Sequence, residues 1–292
     1  MAKKRQKRRS GSAFLLTFLI ALVLFGGLSA WVMIDLLAPA DTPTPTAPTT
    51  TTAPPVTEHK DLRMLLITED AGEAQGFVVI SIETQMGRVR VVPLPRETTV
   101  TTGTEQVRLF EWYRTADLDA VTAGVGDLLD WDLSCYAVMS YHALTQFVTY
   151  LNEGVIYTLD ENISYTNSVG TTVKMAAGAR TLSASQVSDL LRYNAWHGGR
   201  RARANVQGDI TAALFDQYFT APRFDEQDSD FKKFISLTRS NILTSDYVTA
   251  RESLLSVARR NSFDISKVTP PKGEFIGVGE AMRFEIAEKP LG

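Results

Sequence analysis

Three short stretches set arginine in turn-like sequence after an apolar run: Pro95-Arg96-Glu97-Thr98, Leu191-Arg192-Tyr193-Asn194 and Gly198-Gly199-Arg200-Arg201-Ala202-Arg203. A guanidinium offers a planar fork of donors and keeps its charge, so arginines at the ends of strands and helices suit phosphate oxygens. A helix opening just after Arg203 would add free backbone N–H groups and a favourable dipole. An acid beside such arginines, here Glu97, suits a divalent cation that bridges phosphate oxygens. Taken singly, each stretch also reads as solvated surface, and Gly198-Gly199 as a plain loop.

Other chemistries find little support. His59, His142 and His197 have no metal-ligand spacing. There is no nucleophile elbow of the Gly-x-Ser-x-Gly kind and no Walker-type loop. Cys135 is the single cysteine, so an internal disulfide is impossible; in the apolar stretch Ser134 to Met139 it reads as a small buried hydrophobe.

The elements that must carry the arginines follow from hydrophobic pattern. Leu62 to Ile67, Phe77 to Ile82 and Arg88 to Leu94 are apolar runs read as buried strands, the last two joined by a turn at Met86-Gly87. Tyr136 to Met139 and Gly154 to Leu159 read as further strands. Asp117 to Leu129, Ala143 to Leu151, Asn205 to Tyr218, Phe231 to Ile242 and Tyr247 to Asn261 have helical spacing. Ser183 followed by Gln186 is a capping-box pattern that opens a helix through Tyr193. This order predicts an α/β fold, a mixed central sheet covered by helices.

The chain divides by composition. Six of its 30 basic residues lie in the first nine positions, and the other 24 face 33 acids. The remainder is acidic, which argues against a nucleic-acid surface. Residues 13–34 carry no charge. As a helix they span about 33 Å against a bilayer core of about 30 Å. The basic residues before them and Asp35 and Asp41 after them orient such a segment with its N-terminus inside. The competing reading is a cleaved signal peptide, whose apolar region is usually shorter. Residues 35–59 are rich in Thr and Pro and read as an extended linker. The expected organisation is a basic cytoplasmic tail (1–12), a transmembrane helix (13–34), an extracytoplasmic linker (35–59) and a folded domain (60–292).

Several motifs taken together resemble the LytR-CpsA-Psr family of extracytoplasmic domains on an N-terminal membrane anchor. Arg63 to Ile67 followed by Val78 to Ile82 is similar to the family's first two strands. Leu94-Pro95-Arg96-Glu97-Thr98 is similar to its strand ending in Pro-Arg-Asp-Thr. Ala176 to Leu182, continuing through Leu190 to Tyr193, is similar to its Ala-Gly-x-x-x-Leu stretch leading into Val-Arg-Tyr-Arg. Arg203 to Gln207 is similar to its Arg-x-x-Arg-Gln-Gln, and Pro270 to Gly277 suits its closing segment. The resemblance implies a bacterial membrane protein that binds a polyprenyl-pyrophosphate-linked glycan and transfers glycosyl phosphate to peptidoglycan. It implies an apolar tunnel for the polyprenyl chain, Arg96, Arg192 and Arg203 on the pyrophosphate, and Mg2+ held by Glu97 and Glu69. The sequence departs from the pattern at Glu73 and Gln75, where the family has Arg-x-Asp, and at Glu69, Glu97, Asn194 and Val206. Gly199 and Arg200 replace usual acids. The alternative is therefore a binding or scaffold protein of the cell envelope that keeps the fold without transfer.

Overall fold

Leu62–Asp70 (β1), Glu73–Glu83 (β2) and Arg88–Leu94 (β3) form one antiparallel meander. Its turns use residues with positive φ, Ala71 and Gly72 in the first and Gly87 in the second, as tight hairpins require. In the computed structural model the described residues are 61–152, 154–260 and 266–290. The tail, apolar span and linker expected at 1–59 lie outside them. Among the described residues no helix is long and apolar enough to cross a membrane.

The chain continues through Thr99–Thr102 (β4), Glu105–Arg108 (β5), helices Leu109–Thr115 (α1) and Leu118–Leu129 (α2), strand Cys135–Ser140 (β6) and helix Tyr141–Leu151 (α3). Next come Val155–Leu159 (β7), Ile163–Thr166 (β8), Thr172–Met175 (β9), Gly178–Leu182 (β10) and helices Ala184–Arg192 (α4) and Gly199–Tyr218 (α5). Gln227–Leu237 (α6), Arg239–Ser240 (β11), Thr244–Arg260 (α7), Ser266–Val268 (β12), Lys272–Ile276 (β13) and Arg283–Glu288 (β14) complete the fold.

The main sheet has the order β11-β6-β1-β2-β3-β12. β6 lies parallel to β1 and β12 parallel to β3, while the other pairs are antiparallel, so the sheet is mixed. Strand residues alternate between its faces. Leu65, Ile67, Phe77, Val79, Val92 and Leu94 pack with Val121, Val125 and Leu129 of α2. Val78, Ile80, Val89 and Val91 face the opposite way, toward Ala212 of α5 and Leu254 and Val257 of α7. At the lower end of the first face Glu83 is buried between Arg90, at 2.7 Å, and Arg88, at 2.5 Å.

The mixed sheet with helices on both faces is the expected α/β architecture. Several details differ from the sequence reading, among them the helix expected over Phe231 to Ile242, which ends at Leu237 and is followed by a short strand at Arg239–Ser240. α5 starts at Gly199, not near Asn205, because the turn Gly199 N–H to Trp196 O, with Gly199 at positive φ, launches the helix before the arginines. Arg203 therefore stands one turn inside the helix, and a helix N-terminus just beyond it does not exist. The small hairpins β4–β5, β8–β9 and β13–β14 were absent from the pattern-based assignment.

Candidate functional site

The arginine stretches reach the same end of the sheet through different elements. Arg96 follows β3 in a tight turn closed by Thr98, whose N–H and hydroxyl both donate to Pro95 O, at 2.9 and 2.6 Å. The Arg96 guanidinium lies 4.4 Å from the centre of the Phe110 ring, a cation–π contact. Its Nη1 donates to Gln75 Oε1 at 3.0 Å. Arg203 Nη2 donates to the same oxygen at 2.6 Å. Arg200, Arg203 and Gln207 recur at helical spacing and share one face of α5. That face fits over the start of β2: Gln207 Nε2 donates to Gln75 O at 3.0 Å. Gly76 makes this close approach feasible, since a Cβ there would overlap the Gln207 amide.

Glu97 is buried, and its Oε1 accepts from Arg200 Nη1 at 2.8 Å, with Arg96 Nε 3.9 Å away. Gln75, Arg96, Glu97, Arg200, Arg203 and Gln207 line one narrow cleft. Burial, and next the charge of Arg203, push the Arg96 guanidinium below its ordinary pKa. Arg203 Nε is buried without a hydrogen-bond partner.

Arg192 ends α4 a short way off. It makes a two-point pair with Asp70, Nε to Oδ2 at 3.0 Å and Nη2 to Oδ1 at 3.2 Å. Its guanidinium sits 5.1 Å from the ring of Tyr141. The Tyr141 hydroxyl donates to Leu191 O at 3.1 Å; burial pushes this phenol up, and the nearby charge of Arg203 opposes the shift. Tyr141 thus stands between Arg192 and Arg203. The three arginines meet in one region, with Arg96 and Arg203 in direct register and Arg192 beside them.

The carboxylates are arranged differently. Glu69 accepts from the Tyr113 hydroxyl at 2.6 Å and lies 3.7 Å from Arg239 Nη2. Tyr113 is pushed up to about 12, first by burial and then by its bond to Glu69. Glu69 and Glu97 share no partner. Among the described residues no group of three or more His, Cys, Asp and Glu side chains is placed to hold a metal ion. The residues present do not fit a magnesium site: the charges around Glu97 come from Arg96 and Arg200 and repel a cation.

Beside the cleft, between the sheet and the helices α3, α5, α6 and α7, lies an apolar cavity of about 210 Å³. Met64, Leu66, Val78 and Ile80 form its floor, Phe147, Leu214 and Phe215 one side, and Phe231, Phe234 and Tyr247 another. Gln207 lines both the cavity and the cleft. Leu191, next to Arg192, and Thr68 also line the cavity.

A model of the LytR_cpsA_psr family matches residues 60–279, most of the chain. The chain belongs to the LytR_cpsA_psr family. Solved structures share the family domain's fold. A protein from Eubacterium siraeum aligns at TM-score 0.69 and 15% identity, covering 84% of this chain and 94% of its own. TagV of B. subtilis aligns at TM-score 0.66 and 15% identity, covering 78% and 92%. TagT bound to LI-WTA aligns at TM-score 0.59 and 16% identity, covering 77% and 84%. No curated protein matches the chain.

Sequence reasoning singled out Arg96, Arg192, Arg203, Glu97 and Glu69, placed Arg200 in an arginine stretch without a role of its own, and assigned no role to Tyr141, Asp70 or Gln207. Gln75 stood out only as a departure from the family pattern, not as the shared acceptor of two arginines. Spacing on α5 was the available signal for Arg200 and Gln207. Asp70 and Tyr141 reach the site through tertiary contacts that no local pattern encodes.

Proposed function

We propose that this domain, held at the outer face of a bacterial membrane by its N-terminal segment, binds a polyprenyl-pyrophosphate-linked glycan and passes the glycosyl phosphate to peptidoglycan. The reading rests on one observation: an apolar cavity opens beside a cleft that holds Arg96 and Arg203, with Gln207 common to both. Such a pairing suits a ligand with a long apolar tail and a dianionic head. The structurally similar TagT is bound to LI-WTA, which supports a wall-polymer substrate class for the fold. In the transfer an acceptor hydroxyl oxygen attacks the phosphorus that bears the glycan. The bond from that phosphorus to the bridging oxygen breaks, polyprenyl phosphate leaves, and the hydroxyl proton passes to solvent. The arginines lower the barrier by holding charge on the leaving phosphate, an effect of about 10²–10³ in rate for one well-placed donor.

A second reading, binding without transfer, is favoured by Gln75 and by the Glu97–Arg200 pair, which leave no free carboxylate in the cleft. Two measurements separate them. Mass spectrometry of lipid extracted from the purified protein is expected to show a polyprenyl phosphate species; its absence, with no binding of added prenyl diphosphate, would refute both. Transfer of labelled glycan to peptidoglycan, lost in Arg96→Ala, selects the enzyme; binding with no transfer selects the scaffold.

A further inference from the structure

The cleft carries more positive charge than its own residues neutralise. Arg96, Arg200 and Arg203 face a single carboxylate, Glu97, which is committed to Arg200 at 2.8 Å. Arg192 is already matched by Asp70, and Arg114 by Glu73 through Nε at 2.6 Å. That leaves Arg96, whose Nε lies 3.9 Å from Glu97, and Arg203 sharing one neutral acceptor, Gln75 Oε1, at 3.0 and 2.6 Å. Two like charges aimed at one oxygen is the geometry by which guanidiniums hold a phosphate oxygen. A neutral amide satisfies the donors but leaves the charges unbalanced, at a buried position where imbalance is costly. Apart from those two guanidiniums, the Gln75 side chain is held by one longer bond, Nε2 to Glu73 O at 3.2 Å, so an anion that replaced Oε1 between the arginines would leave it little else to break.

We propose that Gln75 is an internal stand-in for a phosphate oxygen, and that the Arg96–Arg203 pair takes a diphosphate in its place directly, with no divalent cation. This rests on the ligand class proposed above and adds the specificity-determining residue and the ion requirement. A carboxylate at position 75 would neutralise the pair and leave a diphosphate without a place except through a bridging cation. The amide instead keeps the pair charged and ready for an anion, and a cation in the cleft would meet three arginines.

The test is a titration of the full-length chain in a mild detergent with farnesyl diphosphate, in EDTA and in excess magnesium, with inorganic pyrophosphate as a parallel arm. The expected result is equal affinity in both ions, within about threefold, and weaker binding of inorganic pyrophosphate, which lacks the apolar tail. Gln75→Glu is expected to weaken binding at least tenfold in EDTA while raising the melting temperature of the free protein. Gln75→Ala, which removes the stand-in, is expected to bind as tightly as the natural chain or more so. Binding that requires magnesium would overturn this inference and leave the ligand class standing. Binding in neither condition would overturn the ligand class as well. Unchanged affinity in a folded Gln75→Glu would show that the oxygen between the arginines is not the anion's position.

Discussion

Filling the cavity tests the binding reading most sharply, because stability and ligand retention should move in opposite directions. Ala250 of α7 lines the cavity opposite the sheet. An empty space of about 210 Å³ costs up to about 5 kcal/mol at roughly 24 cal/mol per Å³, the full figure applying to a closed cavity. That is a large share of a domain stability of about 5–15 kcal/mol, so a cavity this size is best explained by what enters it. A phenylalanine ring from Ala250→Phe, taking about two-fifths of the space, should recover about 2 kcal/mol. For a domain of this size that is a rise of about 4–8 °C in Tm. Scanning calorimetry on delipidated protein reads the stability, and mass spectrometry of co-purified lipid reads the retention. The expected outcome is a higher Tm with no retained prenyl lipid. A lower Tm together with full retention would show that the tail does not occupy this space and that the proposed binding mode is wrong.

Further expectations follow from particular contacts. Glu83→Gln should cost about 3 kcal/mol in urea denaturation, because it breaks a buried ion pair and leaves Arg90 without its counter-charge. Asp209 is pushed up to about 6 by burial and then by Asp160, so its folded form holds the proton above the usual carboxylate range. Stability linked to it is highest below about pH 4 and declines as pH rises toward 6, so Asp209→Asn should raise Tm at pH 7.5 and leave it nearly unchanged at pH 4. Equal effects at both pH values would refute that assignment. Gly76→Ala should push Gln207 off Gln75 O, lowering Tm by about 2–4 °C for roughly 1 kcal/mol and weakening farnesyl diphosphate binding several-fold by titration.

Much of the scaffold was legible because it obeys a simple period. The apolar runs at Leu62–Ile67, Phe77–Ile82 and Arg88–Leu94 are central strands, and the capping box at Ser183 and Gln186 forms as expected. The start of α5 was not legible, since Gly198-Gly199 looks like a break and becomes one only at its first residue, after which the arginines run helically. The hairpin β13–β14 was missed although Arg283-Phe284-Glu285-Ile286 alternates polar and apolar, because its partner strand Lys272–Ile276 is short and carries Gly273. At the site, residue types pointed to the arginines. They could not show that Arg192 turns to Asp70, or that Glu97 and Glu69 go to separate partners, because those choices are set by long-range contacts.

The edges of the main sheet carry a last consequence. Of its six strands the outer two are stubs, Arg239–Ser240 on one side and Ser266–Val268 on the other. Short outer strands offer a stranger too few free amides to zip onto. Two copies of the domain would therefore gain little by joining their main sheets edge to edge.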